Sequence, residues 1–208
     1  MSNTRVVRPP PLRLLRSMPT QLFCLAALTC GAAIAGPASV AAAAATPVPL
    51  GTASAYALLA GSTATNTGPS TLNGDLGLFP GSAVTGFASP AKVNGAQHVN
   101  DSQANQAKAD LGNAYDVAAG SAPTKDLPSE LSGLRLTPGV YSAPSSVGIS
   151  GPLTLDAQGD PAAVFIFQVG SALTTASASE ITLVNGAQPC NVFWQIGSSA
   201  TLGSGSTF

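Results

Sequence analysis

The stretch FQVGSALTTASAS at residues 167–179 recurs 27 residues later, as WQIGSSATLGSGS at residues 194–206. The two copies align without gaps, and matched pairs include Gln168 with Gln195, Gly170 with Gly197, Ser171 with Ser198, Thr174 with Thr201, and Ser177 with Ser204. Repetition at a period of about 20 to 50 residues is typical of solenoids, whose coils stack on their neighbours. The repeat therefore predicts stacked coils with parallel strands, and a β-sandwich with two similar strands is the alternative.

Short apolar segments separated by Gly, Pro, Asn and Asp surround this repeat. They are AYALLAG at 55–61, GVYSA at 139–143, LTLDA at 153–157, AVFIFQVG at 163–170, EITLVNG at 180–186 and NVFWQIG at 191–197. Such a density of turns predicts an all-β architecture. The run from Val164 to Phe167 is apolar without alternation, so we expect the solenoid interior to cover one side of this strand and a helix to cover the other.

One segment has the spacing of a helix. Residues 100–119, NDSQANQAKADLGNAYDVAA, place apolar side chains three or four positions apart, at Ala104, Ala107, Leu111, Ala114, Tyr115 and Ala118. Asn100 or Asp101 is a suitable N-cap, and Gly120 followed by Pro123 ends the pattern. An alanine-rich inner face predicts close packing against the strands.

The first 45 residues have the order of a secretory leader. Four arginines up to Arg16 precede an apolar stretch from Leu22 to Ile34 and a run of alanines at 41–45. We expect cleavage near Ala43 to Ala45 and a secreted domain over 46–208. An uncleaved membrane anchor and a lipoprotein modified at Cys30 are the alternatives. Leader removal leaves four basic and nine acidic residues, a net charge of −5 that disfavours a nucleic-acid partner.

Few side chains in the remaining chain suit catalysis. Cys190 is expected to be a buried apolar side chain, and His98 an exposed polar residue beside the helix start. Asp75, Asp156 and Asp160 lie in turns, where carboxylates bind backbone donors. No calcium or cysteine-based metal spacing is present in the sequence, and Tyr56, Tyr115 and Trp194 are interpreted as core or helix-contact aromatics.

Hydroxyl side chains are concentrated near the carboxyl end. Between Leu136 and Phe208 there are three charged residues and eighteen Ser or Thr. The candidate surface residues here are Thr174, Thr175, Ser177, Thr201, Ser204, Ser206 and Thr207. On stacked strands such residues would form a flat, neutral grid with spacings of about 4.8 Å across strands and about 6.6 Å along them. A grid of this kind suits a repeating, uncharged target such as a crystal surface, although threonine also simply favours strands.

A second hydroxyl-rich segment lies near the start of the domain, GSTATNTGPSTLNGDLG at 61–77. Thr63, Thr65 and Thr67 alternate and can share one side of a strand. Together with Asn66 they complete the set of candidate surface residues. Which strand positions face outward is left open, because a shift of one residue exchanges the two faces.

Several long blocks resemble the microbial ice-binding protein family with the discontinuous β-solenoid fold. They are LGTASAYALLAGSTATNTGPSTLNGDLGLFPGSAVTGF at 50–87, DLGNAYD at 110–116, LTPGVY at 136–141, GDPAAVFIFQVGSALTTAS at 159–177 and VNGAQPCNVFWQIGSSATLGSGSTF at 184–208. The family's ice-binding face often carries T-A/G-x-T/N motifs, and TATN at 63–66 is similar to them.

The resemblance implies an all-β, right-handed discontinuous parallel β-solenoid of roughly triangular section, with one long α-helix along a face. It implies adsorption to an ice surface by a secreted protein that is a monomer when complete, without catalysis, cofactor or small-molecule substrate. Family members continue past the position of Phe208, so we expect this chain to stop within a coil and to leave a coil edge unpaired. A surface-adhesive module without ice affinity and a polysaccharide-active β-helix enzyme are the alternative functions.

Overall fold

A computed structural model describes residues 45–208, so the expected leader and its cleavage positions lie outside the described residues except for Ala45. The described residues belong to one compact unit. The unit consists mostly of short parallel strands and contains one long helix. Among the described residues, no helix is both long enough and apolar enough to cross a membrane.

The first part of the unit is a three-sided stack of coils that follows a short 3-10 helix, Gly51–Ala55. Its strands are β1 (Tyr56–Ala60), β2 (Thr63–Thr65), β3 (Thr71–Leu72), β4 (Asp75–Leu78), β5 (Ala83–Thr85), β6 (Lys92–Val93) and β7 (Gln97–Val99). Strands β1, β4 and β7 form one sheet, β2 and β5 a second, and β3 and β6 a third. All of these pairs are parallel, because each turn returns the chain to the start of the previous one.

Helix α1 (Ser102–Gly120) follows β7 and packs on the strands through small side chains. The Asp101 carboxylate accepts a hydrogen bond from the Ala104 amide at 2.8 Å and is the N-cap, whereas Asn100 has a φ of +54° and stands before the helix. Ala104, Ala107, Ala114 and Ala118 are buried as expected. Tyr115, predicted on the same inner face, is 42% exposed because it lies at the edge of the contact between the helix and the strands.

The second stack begins after α1. Its strands are β8 (Lys125–Asp126), β9 (Arg135–Leu136), β10 (Gly139–Ala143), β11 (Val147–Ile149), β12 (Pro152–Asp156), β13 (Phe165–Val169), β14 (Ala172–Thr175), β15 (Glu180–Val184), β16 (Val192–Ile196) and β17 (Ser199–Thr201). Three parallel sheets result, with the orders β16-β13-β10-β8, β11-β14-β17 and β15-β12-β9. The fold is therefore a parallel β-solenoid in two stacks, and the sandwich alternative is wrong.

The 27-residue repeat is the register between two coils. Phe165 pairs with Val192 and Ala172 with Ser199, each 27 positions apart. The repeated glycine has a steric cause: a Cβ on Gly197 would lie 2.4 Å from the Gly170 carbonyl oxygen. Only glycine permits that close approach of backbone to backbone at the corner of the coil.

Aromatic and aliphatic side chains fill the interior of the second stack. The rings of Tyr141, Phe167 and Trp194 form a column with centroid distances of 5.4 and 4.0 Å, one ring from each coil. All five residues of β13 are buried. Ile166 packs with Ala114 and Ala118 of α1 while Phe167 points into the core, so the expected covering of this strand on both sides is confirmed.

Each turn thus contributes to three kinds of sheet. We call the sheets β1-β4-β7 and β16-β13-β10-β8 the helix-facing sheets, because α1 contacts strands of both. The sheets β2-β5 and β11-β14-β17, which come next in each turn, are the threonine sheets. The sheets β3-β6 and β15-β12-β9 complete the turn and are the charged sheets.

Candidate ice-binding surface

The outward positions of β14 and β17 carry small, neutral side chains in register. Thr174 pairs with Thr201, and Ala172 pairs with Ser199. Thr174, Ser199 and Thr201 are exposed. Leu173, between Ala172 and Thr174 on β14, is 1% exposed and points into the core. Alternation along a strand explains the pattern, since one buried face fixes the other as outward. The result is a block of hydroxyl and methyl groups on adjacent strands.

A similar block lies in the first stack. Thr63 pairs with Ala83, and Thr65 pairs with Thr85, while Ala64 between them is buried. The Thr85 hydroxyl donates a hydrogen bond to the Thr65 hydroxyl at 3.3 Å, which orients both side chains on the outer surface. Both blocks occupy the second strand of their turns, directly after a helix-facing strand.

Charge distinguishes the threonine sheets from the other two kinds. Their strands, β2, β5, β11, β14 and β17, contain no charged residue. The helix-facing sheets carry Asp75, Lys125 and Asp126, and the charged sheets carry Lys92, Arg135, Asp156 and Glu180. The neutral surface is therefore confined to one strand position of each turn.

Glu130 is the charged residue that borders the second threonine sheet, where it bridges to Gly148 of β11. Its carboxylate accepts hydrogen bonds from the Ser132 hydroxyl, the Ser132 amide at 2.9 Å and the Ser150 amide at 3.0 Å. These donors, led by the Ser132 hydroxyl, lower the pKa of Glu130 to about 2. The Glu130 carboxylate thus links Ser132 and Ser150 through hydrogen bonds at the edge of the sheet.

Two expected surface residues instead point inward. Thr175 is 4% exposed, and its hydroxyl accepts a hydrogen bond from the Gly203 amide at 2.9 Å. Ser206 is half-buried, and its hydroxyl donates to the Gly203 carbonyl at 2.7 Å, with the Ala176 carbonyl oxygen 3.0 Å away. Their assignment to a solvent-facing grid is wrong, because Thr175 follows the outward Thr174 by one residue and the Ser206 hydroxyl lies 3.2 Å from the inward Thr175 hydroxyl.

The remaining expected residues are distributed over corners and a different sheet. Ser177 and Ser204 are exposed in the turns after β14 and β17, and Thr67 is exposed after β2. Thr207 forms a bridge to Glu180, so it borders a charged sheet and does not share the surface of Thr201.

Asn66 has its side chain committed to a corner of the first stack. Its amide nitrogen donates to the carbonyls of Gly68 and Gly86, both at 2.8 Å, and its oxygen accepts from the Ser70 hydroxyl. The last residue of the TATN motif therefore ties two neighbouring coils together, and the first and third residues face solvent.

Thr85 and Ser199 were not predicted from the sequence. Thr85 lies in AVT, a strand too short to show a periodicity of its own, and Ser199 follows a serine in a turn-like stretch. The signal that identifies Thr85 is register, because it stands opposite Thr65, 20 positions earlier. Ser199 is identified by alternation, because it lies two residues before Thr201 on the same strand.

Each of the three aspartates considered for catalysis has its own hydrogen-bond or ion-pair partner. Asp156 pairs with Arg135 at 2.7 Å, Asp160 accepts from the Ala162 amide, and Asp75 accepts from the Ala96 amide. Within residues 45–208, no three His, Cys, Asp or Glu side chains come together as metal ligands would.

Two further expectations from the sequence were wrong. Cys190 is exposed, because it lies in a 3-10 helix, Pro189–Asn191, at the surface just before β16. His98, expected at the surface, has a side chain only 16% exposed, and its Nδ1 lies 2.9 Å from the Asp101 carboxylate.

The fold and this surface define a class: a three-sided parallel β-solenoid with one accompanying helix and a neutral, threonine-bearing face. Residues 58–208 match the family described as Ice-binding-like, and the chain belongs to that family. The expected family and the discontinuous parallel β-solenoid are thereby confirmed.

Relatives in other organisms support this assignment. The chain is 56% identical over 160 residues to an ice-binding protein of a Nostoc species, covering 76% of this chain and 59% of the relative. It is 34% identical over 176 residues to an ice-binding protein of a Colwellia species, covering 77% of this chain and 69% of that relative. The crystal structure of an ice-binding protein from the Antarctic ascomycete Antarctomyces psychrotrophicus aligns with a TM-score of 0.75 at 40% identity, covering 77% of this chain and 79% of that one. The chain thus spans about three fifths of the length of the Nostoc relative.

Proposed function

We propose that this protein is a secreted, non-enzymatic ice-binding protein that adsorbs to ice through its threonine sheets and slows ice growth or recrystallisation. The observation that carries the proposal is the neutral outward array of Thr63, Thr65, Thr85, Thr174 and Thr201 on strands without a charged residue. Membership of a family whose relatives are named ice-binding proteins supports it. The protein is proposed to act as a monomer without a cofactor.

Adsorption to a crystal requires many weak contacts in a fixed pattern. Methyl groups of threonine favour ordered water over them, and the hydroxyls join the hydrogen bonds of that water. Paired strands repeat such groups at about 4.8 Å, and a rigid sheet presents them without further ordering cost. A charged surface would instead hold its own hydration shell, so the neutral sheets are the side of the solenoid suited to ice.

The proposed contact residues are therefore narrower than the hydroxyl-rich segments of the sequence. The outward set comprises Thr63, Thr65, Thr85, Thr174, Ser199 and Thr201. Ser177, Ser204 and Thr67 lie at the margins of this surface and are proposed as secondary contacts. Thr175, Ser206, Asn66 and Thr207 are left out, because the first three have side chains bound within the protein and Thr207 borders a charged sheet.

The test compares Thr174→Tyr with Thr182→Tyr in the protein purified after export of the full chain. Thr174 lies on a threonine sheet, and Thr182 is a half-buried residue of β15, between the core-packed Ile181 and Leu183, on a charged sheet in the same turn. We expect Thr174→Tyr to reduce partitioning into slowly growing ice and inhibition of recrystallisation by tenfold or more, because a bulky ring breaks the flat array. Thr182→Tyr should leave both unchanged.

Circular dichroism of both variants should match the parent, since both sites are on the outer surface. Equal loss in the two variants, or loss only in Thr182→Tyr, would move the ice-binding surface away from the threonine sheets. Absence of ice partitioning in the parent protein would refute the proposed function itself.

A further inference from the structure

The segment from Ala45 to Leu50 lies in a groove between α1 and the second helix-facing sheet. Val48 is 6% exposed and belongs to a buried cluster that joins helix and strands; its other members are Ala114, Ala118, Val140, Val164 and Ile166. Ala45 and Leu50 pack against the margin of the same cluster. One short segment therefore contacts the helix and the sheet beneath it at the same time.

Both ends of this segment lie beside α1. Downstream, Thr52 donates two hydrogen bonds to the Asp110 carboxylate, from its amide at 2.8 Å and its hydroxyl at 2.6 Å. Upstream, Ala45 and Thr46 line a depression of about 240 Å³ together with residues 121–124, directly after the helix ends. The segment thus runs antiparallel to the second half of α1.

The helix needs such a support because its inner face is made of alanine. Ala104, Ala107, Ala114 and Ala118 bury little apolar area each, and the hydrophobic contribution scales with the area removed from water. Val48 adds a larger side chain at the level of Ala114 and Ala118. The match to the Ice-binding-like family begins only at residue 58, so this segment lies before the matched region.

We propose that residues 45–50 form a strap that latches the second half of α1 onto the solenoid, and that leader removal occurs immediately upstream so that the mature chain begins with the strap. The last turn of α1 contains no basic residue. A cut here places the new ammonium group close to the carboxyl end of the helix, where a positive charge is favourable. The processing half of this inference rests on the proposed secretion, whereas the strap itself does not.

The processing half is tested by exporting the full chain and measuring the intact mass and amino-terminal sequence of the secreted product. We expect the first residue to be Ala44 or Ala45. A first residue beyond Ala45 would show that processing cuts into the strap, and one upstream of Ala44 would show that the leader boundary lies elsewhere. Either result overturns this half.

The strap is tested in the full chain by hydrogen exchange of two variants, Val48→Thr and Thr46→Val. Val48→Thr puts a hydroxyl of nearly equal volume into the apolar cluster, and Thr46→Val makes the reverse change at an exposed neighbour. We expect amides of residues 112–120 to exchange about tenfold faster in Val48→Thr, because the strap loosens locally. Exchange in β13 should stay unchanged, and Thr46→Val should match the parent.

Unchanged helix exchange in Val48→Thr, or an equal acceleration in helix and β13, would overturn the strap as a local latch. Val48→Ala provides a milder second variant if Val48→Thr fails to fold, with the same helix-specific pattern expected. Ice partitioning is measured on the same samples. Because Thr174→Tyr tests the ice surface without touching the strap, failure of either proposal is distinguishable from failure of the other.

Discussion

Thr174 and Thr175 are adjacent residues with the same side chain and opposite environments. The Thr174 hydroxyl is on the outer surface beside Thr201, and the Thr175 hydroxyl lies inside the coil, where it accepts a hydrogen bond from the Gly203 amide. The first residue is available to order external water, and the second satisfies a backbone donor of the next coil. Residue type alone therefore does not define the surface; position along the pleat does.

Replacing each of these threonines with valine should separate the two roles. Thr175→Val removes the acceptor of a backbone amide, and we expect a loss of about 1–3 kcal/mol in the free energy of unfolding. Thr174→Val should change it by less than about 0.5 kcal/mol, because the site is on the surface. Thermal or urea unfolding measures both, and a larger loss in Thr174→Val would contradict the assigned orientation.

Glu130 predicts a specific dependence of stability on pH. Its pKa is lowered from an ordinary value of 4.5 to about 2 by hydrogen bonds from Ser132 and Ser150, so the ionised form stabilises the fold. This contribution is fully present above about pH 4.5 and is lost as the pH falls through about 2. We expect Glu130→Gln to melt at a lower temperature than the parent at pH 7, and the difference to shrink towards pH 2.

The comparison of variant with parent isolates Glu130 from other acids. Hydrogen bonds also lower the pKa of Asp101, Asp110 and Asp156, but these groups are common to both proteins. A melting difference that stays constant from pH 7 to pH 2 would show that the Glu130 charge does not contribute.

At the scale of elements, Gln168 joins the helix to the solenoid. It is 8% exposed, and its amide nitrogen donates to the carbonyls of Ala118 and Ser121, both at 2.7 Å, at the end of α1. The last carbonyls of a helix lack partners within it, and a buried side chain supplies one here. The matched residue of the next coil, Gln195, is only half-buried and donates to the Tyr115 hydroxyl at 2.6 Å.

Gln168→Leu should therefore destabilise the protein more than Gln195→Leu. The first change removes the side-chain donor of the Ala118 and Ser121 carbonyls at the buried end of the helix, which costs about 1–3 kcal/mol, or about 2–10 °C in melting temperature for a domain of this size. The second leaves a hydroxyl that water can reach, and we expect a shift of about 2 °C or less. Equal shifts in calorimetry would show that Gln168 does not fix the helix end.

At the scale of the molecule, stability is built from contacts between neighbouring coils. Strand β13 is paired on both sides, with β10 and β16, and is fully buried. Among the described residues, β17 is paired only with β14, and all three of its residues are exposed. Each coil of a solenoid contacts only its neighbours, so protection should follow position in the stack.

Amide hydrogen exchange of the folded protein measures this gradient. We expect the slowest exchange in β10 and β13 and exchange at least tenfold faster in β17, because opening the outer strand breaks contacts on one side only. This measurement does not require ice. Uniform protection from β10 to β17 would instead indicate a single cooperative unit.

Much of the architecture was predictable from the sequence. The 27-residue repeat predicted the register of β13 with β16, the spacing of alanines predicted α1, and the apolar run from Val164 to Phe167 predicted a strand covered on both sides. Strands of two or three residues such as β5 and β17 were not predicted, because so short a segment has no period of its own. Thr85 and Ser199 were missed for that reason.

By itself the sequence determined the stacked coils, the helix and the scarcity of charge in the hydroxyl-rich segments, because periodicity and composition act locally along the chain. The family was indicated by the resemblance of long sequence blocks to known members. Only the tertiary structure decided which hydroxyls face outward: Thr174 and Thr201 but not Thr175 and Ser206. It also decided that residues 45–50 pack beside α1. The physical reason is that orientation and packing depend on pairing between residues 20 or more positions apart, and a change of one residue in that pairing exchanges the inner and outer faces of a strand.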